Sequence, residues 1–164
     1  MIKVSVRQST FIKNYIKAIN NGSAAVFAGA GLSVPSGYVS WKELLRPFAE
    51  EIGLSIDKEH DYLAIAQYYC NKQGSRSGIN DIVLEAFTKE TKNNDSLKII
   101  TKLPIDVYWT TNYDHLLEEA LKENGRKPDV KITNENLATN LRNCSAVVYK
   151  MHGDVDHPAK AVLT

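Results

Sequence analysis

The sequence predicts an α/β fold, a Rossmann-like parallel sheet with flanking helices and a helical insertion. Three observations carry that expectation. The apolar run Ala24-Ala25-Val26-Phe27-Ala28 empties directly into Gly29-Ala30-Gly31-Leu32-Ser33, which is how a strand buried on both faces hands over to a glycine-rich turn. Two further runs rich in β-branched and aromatic residues, 105–110 and 146–151, end in the polar clusters Thr111-Asn112-Tyr113-Asp114 and His152-Gly153-Asp154. Between the first and second runs, two helical patterns follow one another with no strand between them, so a helical insertion interrupts the strand–helix alternation.

Each element has its own local signal. Phe11, Ile12, Tyr15, Ile16 and Ile19 recur at helical spacing and Asn21-Gly22 supplies a stop, predicting an amphipathic helix over 9–20. After the first strand, the glycines free the backbone for tight turns at positive φ, and their bare N–H groups can face a phosphate ahead of an expected helix N-terminus. Position 34 is Val, so the Gly-x-Gly-x-x-Gly fingerprint is not met, and no Gly-Lys-Ser/Thr follows. Pro35-Ser36-Gly37-Tyr38 reads as an irregular loop able to move over a ligand. Ser40 with Glu43 forms a capping box for a helix whose face is Trp41, Leu44, Leu45, Phe48 and Ile52, closed by Gly53, with a kink expected at Pro47.

Helical spacing continues through Tyr62, Leu63, Ala66, Tyr69 and Cys70, then through Ile79, Ile82, Val83, Ala86 and Phe87. Leu97, Ile100 and Leu103 mark a short helix closed by Pro104. The second strand follows over 105–110. Leu116, Leu117, Ala120 and Leu121 form the next helix, which Gly125 ends. A brief strand is expected over 130–133, a short helix over 137–141 and a third strong strand over 146–151.

Composition narrows the classes of function. The chain has 164 residues, enough for one domain with its own core. Twenty basic residues against nineteen acidic ones leave a net charge of +1, so nothing points to nucleic acid or to an anionic membrane. No apolar run reaches the ~20 residues of a membrane span, and Met1 to Thr10 is too polar for a signal peptide, so the expected location is cytoplasmic. Cys70 and Cys144 have no metal-ligand spacing and read as small buried hydrophobes. His60, His115 and His157 have no companion pattern and read as surface residues, Lys42 and Arg46 as solvated helix charges, and Trp41 as core.

All three polar clusters fall at the carboxyl ends of strands, where open parallel sheets bind ligands. Structural jobs compete for the same residues. Thr111 or Asn112 can cap the following helix, with Asp114 favouring its positive end, and a histidine after a strand can be a satisfied polar group. In combination, Gly29-Ala30-Gly31-x-Ser33, Ser36-Gly37, Thr110-x-Asn112-x-Asp114 and His152-Gly153 resemble the ordered motif set of the sirtuin superfamily. Within it, Ser40-Trp41-x-x-Leu44-Leu45, 108–114 and 149–154 are most similar to the bacterial sirtuin-like NAD-hydrolysing domains of antiphage defence, the Thoeris effectors among them.

The resemblance implies a sirtuin-like domain over 1–164 that continues beyond Thr164, near a further strand, and hydrolysis of NAD at the nicotinamide–ribose bond. It implies catalytic roles for Asn112, which positions the ribose and a water, and for His152 as general base. Ala28, Gly29, Ala30, Gly31, Ser33, Thr111 and Asp114 would share NAD binding with that pair, the glycine turn and Ser33 at the diphosphate and Asp114 at the nicotinamide amide. No metal is expected. A homo-oligomer and a C-terminal sensor domain or signal-producing partner are implied as well. The alternatives are an NAD-dependent protein deacylase and a non-catalytic ADP-ribose or nucleotide-binding module. Deacylases carry Cys-x-x-Cys pairs soon after the His-Gly and Pro-Asp-Phe-Arg after the Ser-Gly. Here 154–164 has no cysteine and Tyr38-Val39-Ser40-Trp41 stands in the second place, which disfavours deacylation.

Overall fold

A computed structural model describes residues 5–161; the strand expected near Thr164 and the first residues of the polar Met1 to Thr10 stretch lie outside them. Four short strands make one sheet: β1 Ala25–Ala28, β2 Val107–Thr110, β3 Pro128–Lys131 and β4 Ala146–Lys150. Their order is β1-β2-β4-β3 and every pairing is parallel. Ala28 lies opposite Thr110, and Thr110 opposite Lys150. The carboxyl ends of β1, β2 and β4 are therefore level, and the three polar clusters leave the sheet at the same end.

The inner face of the sheet packs Val26, Ala28, Tyr108, Ala146 and Val148 against Leu97, Leu116, Leu117, Ala120 and Leu121. Those partners come from α5 Asp95–Lys102 and α6 Leu116–Glu123. A second core holds the insertion, α2 Trp41–Glu51, α3 Tyr62–Gln73 and α4 Ser77–Phe87, around Leu45, Phe48, Ile65, Ile79 and Val83. Tyr113 and Val155, from the ends of β2 and β4, are buried in that second core. The insertion is thus fastened to the same strand ends that carry the polar clusters. No helix among the described residues is long and apolar enough to cross a membrane.

Several expectations need correction. The first helix, α1 Val6–Asn20, starts earlier because Ser5 and Gln8 cap it reciprocally. It buries none of its residues fully: Tyr15 and Ile19 touch the sheet core, while Phe11, Ile12 and Ile16 stay exposed. The glycine turn does not adopt positive φ at Gly29 or Gly31, and two short 3-10 turns, Ala30–Leu32 and Val34–Ser36, stand where a helix was expected. Pro35 favours that early stop, since its ring restricts the residue before it. The helix α2 runs through Pro47 as one element.

At the far edge, β3 begins two residues before the expected 130–133. Pro128 opens an edge strand, where its missing donor costs little, and Asp129 pairs with Lys131 at 2.8 Å. That buried pair hid the start of the strand from a hydrophobicity reading. The helix α7 spans Asn134–Leu137 and not 137–141, because Thr133 and Asn136 form a capping box. Cys70 and Cys144 are free and only half-buried.

Candidate active site

Each cluster reaches the site through its strand. Thr111 N–H donates to the Ala28 carbonyl at 3.2 Å and Met151 N–H to the Thr110 carbonyl at 2.8 Å. The sheet ladder thereby extends one step past each strand and sets the glycine turn, Asn112 and His152 side by side. Asn112 is buried, with its amide donating to the Gly29 carbonyl at 3.1 Å and to Ser33 Oγ at 2.8 Å. Ser33 in turn donates to Asp114 Oδ2 at 2.7 Å. Asn112 Oδ1 is left buried with no hydrogen-bond partner among the described residues. A buried amide oxygen without a partner is costly, and here it is the acceptor that a ligand hydroxyl or a water can satisfy.

Asp114 combines two jobs. Its Oδ1 accepts from the Leu116 N–H at 3.1 Å, holding the start of α6, while Oδ2 takes the Ser33 proton. Capping is therefore real for Asp114. It is not the work of Asn112, whose side chain points back to the glycine turn. Ser33 is buried and its hydroxyl donates to Asp114, so in this conformation it braces the turn and has no proton aimed at an anion.

At the glycines themselves, a Cβ built on Gly29 would meet only Thr111 Oγ1 at 3.9 Å, and one on Gly31 would meet nothing within 4 Å. Neither the backbone nor the packing requires glycine at these positions. What the missing side chains provide is open space above N–H groups that precede the first bonds of the turn, Leu32 to Gly29 at 2.9 Å and Ser33 to Ala30 at 3.0 Å. Such a cradle admits a phosphate oxygen.

Trp41 closes the other side. Its ring lies 5.6 Å from that of Tyr113 and 6.0 Å, edge to face, from that of His152. It also lines a narrow cleft with Ala30, Ser33, Val39, Leu44, Phe87 and residues 111–114. Trp41 packs against the insertion core as expected, and its position also borders His152. His152 Nδ1 is buried without a partner among the described residues, and burial lowers the pKa of the ring below the ordinary histidine value. The imidazole is neutral at pH 7, the form that accepts a proton.

Beneath this surface lies a charged group the sequence reading missed. Lys150 Nζ donates to the carbonyls of Tyr113 at 2.9 Å and Asp114 at 2.7 Å and to the Asp154 carboxylate. Asp154 Oδ1 meets His115 Nε2 at 3.0 Å, so His115 is partnered and is not a free surface residue; His60 and His157 are exposed as expected. Burial alone would raise the Asp154 carboxyl, but His115 and Lys150 outweigh it and hold Asp154 well below the usual carboxylate range. The same hydrogen bond raises the His115 pKa. Ligand atoms of His115, Asp154 and Asp156 lie within 4.8 Å of one another, the one grouping among the described residues with the composition of a metal site. Ion pairing to His115 and Lys150 accounts for it without a metal. Strand alternation was the available signal, because it puts Lys150 on the same face as Ala146 and Val148.

A level edge of parallel strands that gathers a glycine turn, a buried asparagine and a His-Gly pair is the arrangement of a sirtuin-like domain. The chain is sirtuin-like, and its residues 106–164 match the SIR2-like domain family. It is 53% identical over 93% of its length to an NAD(+) hydrolase ThsA of Bacillus cereus, covering 32% of that protein. It is 44% identical over 99% of its length to an NAD(+) hydrolase ThsA of Cytobacillus dafuensis, covering 33% of it. The defense-associated sirtuin 2 of Bacillus subtilis is 32% identical over 87% of the chain, which covers 14% of it. The chain spans about a third of the length of the ThsA relatives.

Proposed function

We propose that the protein hydrolyses NAD+ at the nicotinamide–ribose bond, releasing nicotinamide and ADP-ribose, and that it serves antiphage defence by depleting NAD. The observation that carries this reading is the pair of orphaned buried acceptors, Asn112 Oδ1 and His152 Nδ1, at the ends of the adjacent strands β2 and β4. Both follow strands level with a glycine turn whose Cβ positions at Gly29 and Gly31 are open. Resemblance to chains named NAD(+) hydrolase supports the choice of substrate.

Breaking the glycosidic bond leaves positive, oxocarbenium-like charge on the ribose, and nicotinamide departs with the bonding electron pair. Water then adds to the ribose C1′ and loses a proton. Neutral His152 accepts that proton, directly or by way of a ribose hydroxyl. Asn112 Oδ1 accepts from the ribose hydroxyl or the water and fixes its placement, while the Asn112 amide stays bound to Gly29 and Ser33. Trp41 and Tyr113 wall the cleft and limit stray water. Ala28, Gly29, Ala30, Gly31 and Thr111 hold the diphosphate end, with Ser33 locking the turn. Asp114 engages the nicotinamide amide through a remaining carboxylate lone pair. No metal enters these steps.

The same reading extends the domain beyond Thr164. The outer sheet face is open and the ThsA relatives are longer, which together support further covering elements, a C-terminal sensor or signal-producing partner, and a homo-oligomer in the cytoplasm. The test is nicotinamide release from NAD+ by the full-length protein, followed chromatographically. Asn112→Ala and His152→Ala should each lower turnover at least about 100-fold in protein that remains folded, with Asn112→Ala unfolding at a lower temperature because it gives up the bonds to Gly29 and Ser33. Full turnover in either folded variant overturns the assignment. Release that needs an acylated peptide would make the protein a deacylase, and ADP-ribose binding without any release would make it a binding module.

A further inference from the structure

Lys150 is fully buried: its side chain is 0% exposed and that of its partner Asp154 is 2% exposed. An ammonium has three N–H donors and no acceptor. Here the carbonyl of Tyr113, the carbonyl of Asp114 and the Asp154 carboxylate use them all. Glu118 Oε1 lies 3.2 Å from the same nitrogen, yet neither Glu118 oxygen receives a hydrogen bond, as expected once the donors are committed. Burying an ammonium costs several kcal/mol before its partners repay it. An apolar residue at the last inner-face position of β4 would fill the space without that cost.

The positions of its partners account for the charge. Tyr113 and Asp114 directly follow Asn112, and the turn from Lys150 to Asp154 carries His152. One nitrogen therefore ties the segment bearing the asparagine to the turn bearing the histidine. Backbone contacts alone join them at Met151 to Thr110 and at Val155 to Tyr113, on either side of the two functional residues. The far end of the tie is itself held. Asp154 Oδ1 accepts from the Asp156 N–H at 2.8 Å and meets His115 at 3.0 Å.

We infer that Lys150 is a positioning residue that sets Asn112 and His152 relative to each other, with Asp154 as its anchor. The inference rests on the reading of those two residues as the catalytic pair. Lys150 touches no substrate. The glycine cradle, on β1, lies outside its hydrogen bonds, so its loss should disturb turnover and spare ground-state binding.

The experiment uses the full-length protein and measures nicotinamide release at varied NAD+, with ADP-ribose titrated by calorimetry to count competent sites. Lys150→Met strands two buried carboxylates, Asp154 and Glu118, so the paired Lys150→Met/Asp154→Asn is made beside it, and both are made with Glu118→Gln added. The expected result is a kcat lower by about 100-fold, the size of effect that a misplacement of about 1 Å produces. KM and ADP-ribose affinity should stay within about threefold, with the number of binding sites per chain unchanged. That site count separates a positioning defect from a smaller folded fraction.

Turnover within about threefold of wild type in the folded paired variant overturns the inference, as does a loss that merely tracks lost sites. If none of the lysine variants folds, Asp154→Asn and Asp154→Ala replace them, since asparagine keeps an oxygen for the ammonium and alanine does not. Turnover should then survive in the first and fall in the second, and equal turnover in both overturns the inference. Asn112→Ala and His152→Ala run in the same series. If both are inactive while the Lys150 variants turn over normally, only the tie is wrong; if either is active, the catalytic pair itself is wrong.

Discussion

His152 sits against the edge of Trp41 with Nδ1 out of reach of any described partner, and that setting fixes the direction of its titration. Withdrawal from water disfavours the imidazolium, so the folded pKa lies below the reference value of 6.5. A general base works only when neutral, so its activity is lost as pH falls through that lowered pKa and not before. The kcat/KM profile should therefore carry an acid limb centred below pH 6.5, steepening to a tenfold fall per unit at lower pH. An acid limb centred at or above pH 7 would mean that another group titrates. Asn112 and His152 were both legible as candidate site residues because each follows an apolar strand with a polar side chain that the strand pattern does not need. Lys150, Glu118 and His115 were not. Charged residues read as solvated by default, and their burial depends on α6 lying across the inner face of β4, a long-range fact that no local window contains. Trp41 packs against the insertion core as its helix spacing predicts, but a helix face shows what it buries and not that His152 waits beside it.

At the scale of the turns, glycines that look alike in sequence do opposite work. Gly153 has φ +95°, and a Cβ there would stand 3.0 Å from Ala161 Cα and 3.3 Å from the Lys160 carbonyl. Both the backbone and the neighbours exclude a side chain, so Gly153→Ala should cost about 2–3 kcal/mol and displace the adjacent His152. Gly29 has ordinary extended geometry, with φ −122° and ψ −174°, and space for a methyl group. Gly29→Ala should change stability by less than about 0.5 kcal/mol. It should nevertheless raise the KM for NAD+ about tenfold or more, because the methyl enters the space left for the diphosphate. Urea unfolding beside steady-state kinetics separates the two, and a Gly29→Ala variant with unchanged KM would remove the cradle from the site. The positions of the strands and of the helical insertion were readable because apolar spacing over many residues outweighs local detail. The glycine turn was placed correctly and its conformation was not, since composition cannot distinguish a glycine that bends the chain from one that leaves room.

The sheet as a whole has one covered face and one bare one. Residues alternate across a strand, so Phe27, Trp109 and Tyr149, which are neighbours in register across β1, β2 and β4, all project outward. Trp109 and Tyr149 stack with ring centroids 4.2 Å apart, and Phe27 is 68% exposed. An all-parallel sheet is rarely left with an aromatic row facing water, because its crossovers normally bring helices to both sides. The exposed apolar side of α1, with Phe11, Ile12 and Ile16, adds to this surface inventory. The proposed extension of the domain would lay further elements over this face. The difference is measurable at Phe27 in the full-length protein. A lysine at a position facing water changes stability by no more than about 0.5 kcal/mol, whereas one forced under a packed helix costs several times that. Phe27→Lys should therefore destabilise the full-length protein by at least about 2 kcal/mol in urea unfolding. Trp109→Lys, one strand inward and on the same face, should cost at least as much. Near-neutral values at both positions would mean that the aromatic row faces solvent in the full-length protein, and with that the extension of the domain over this face would fall.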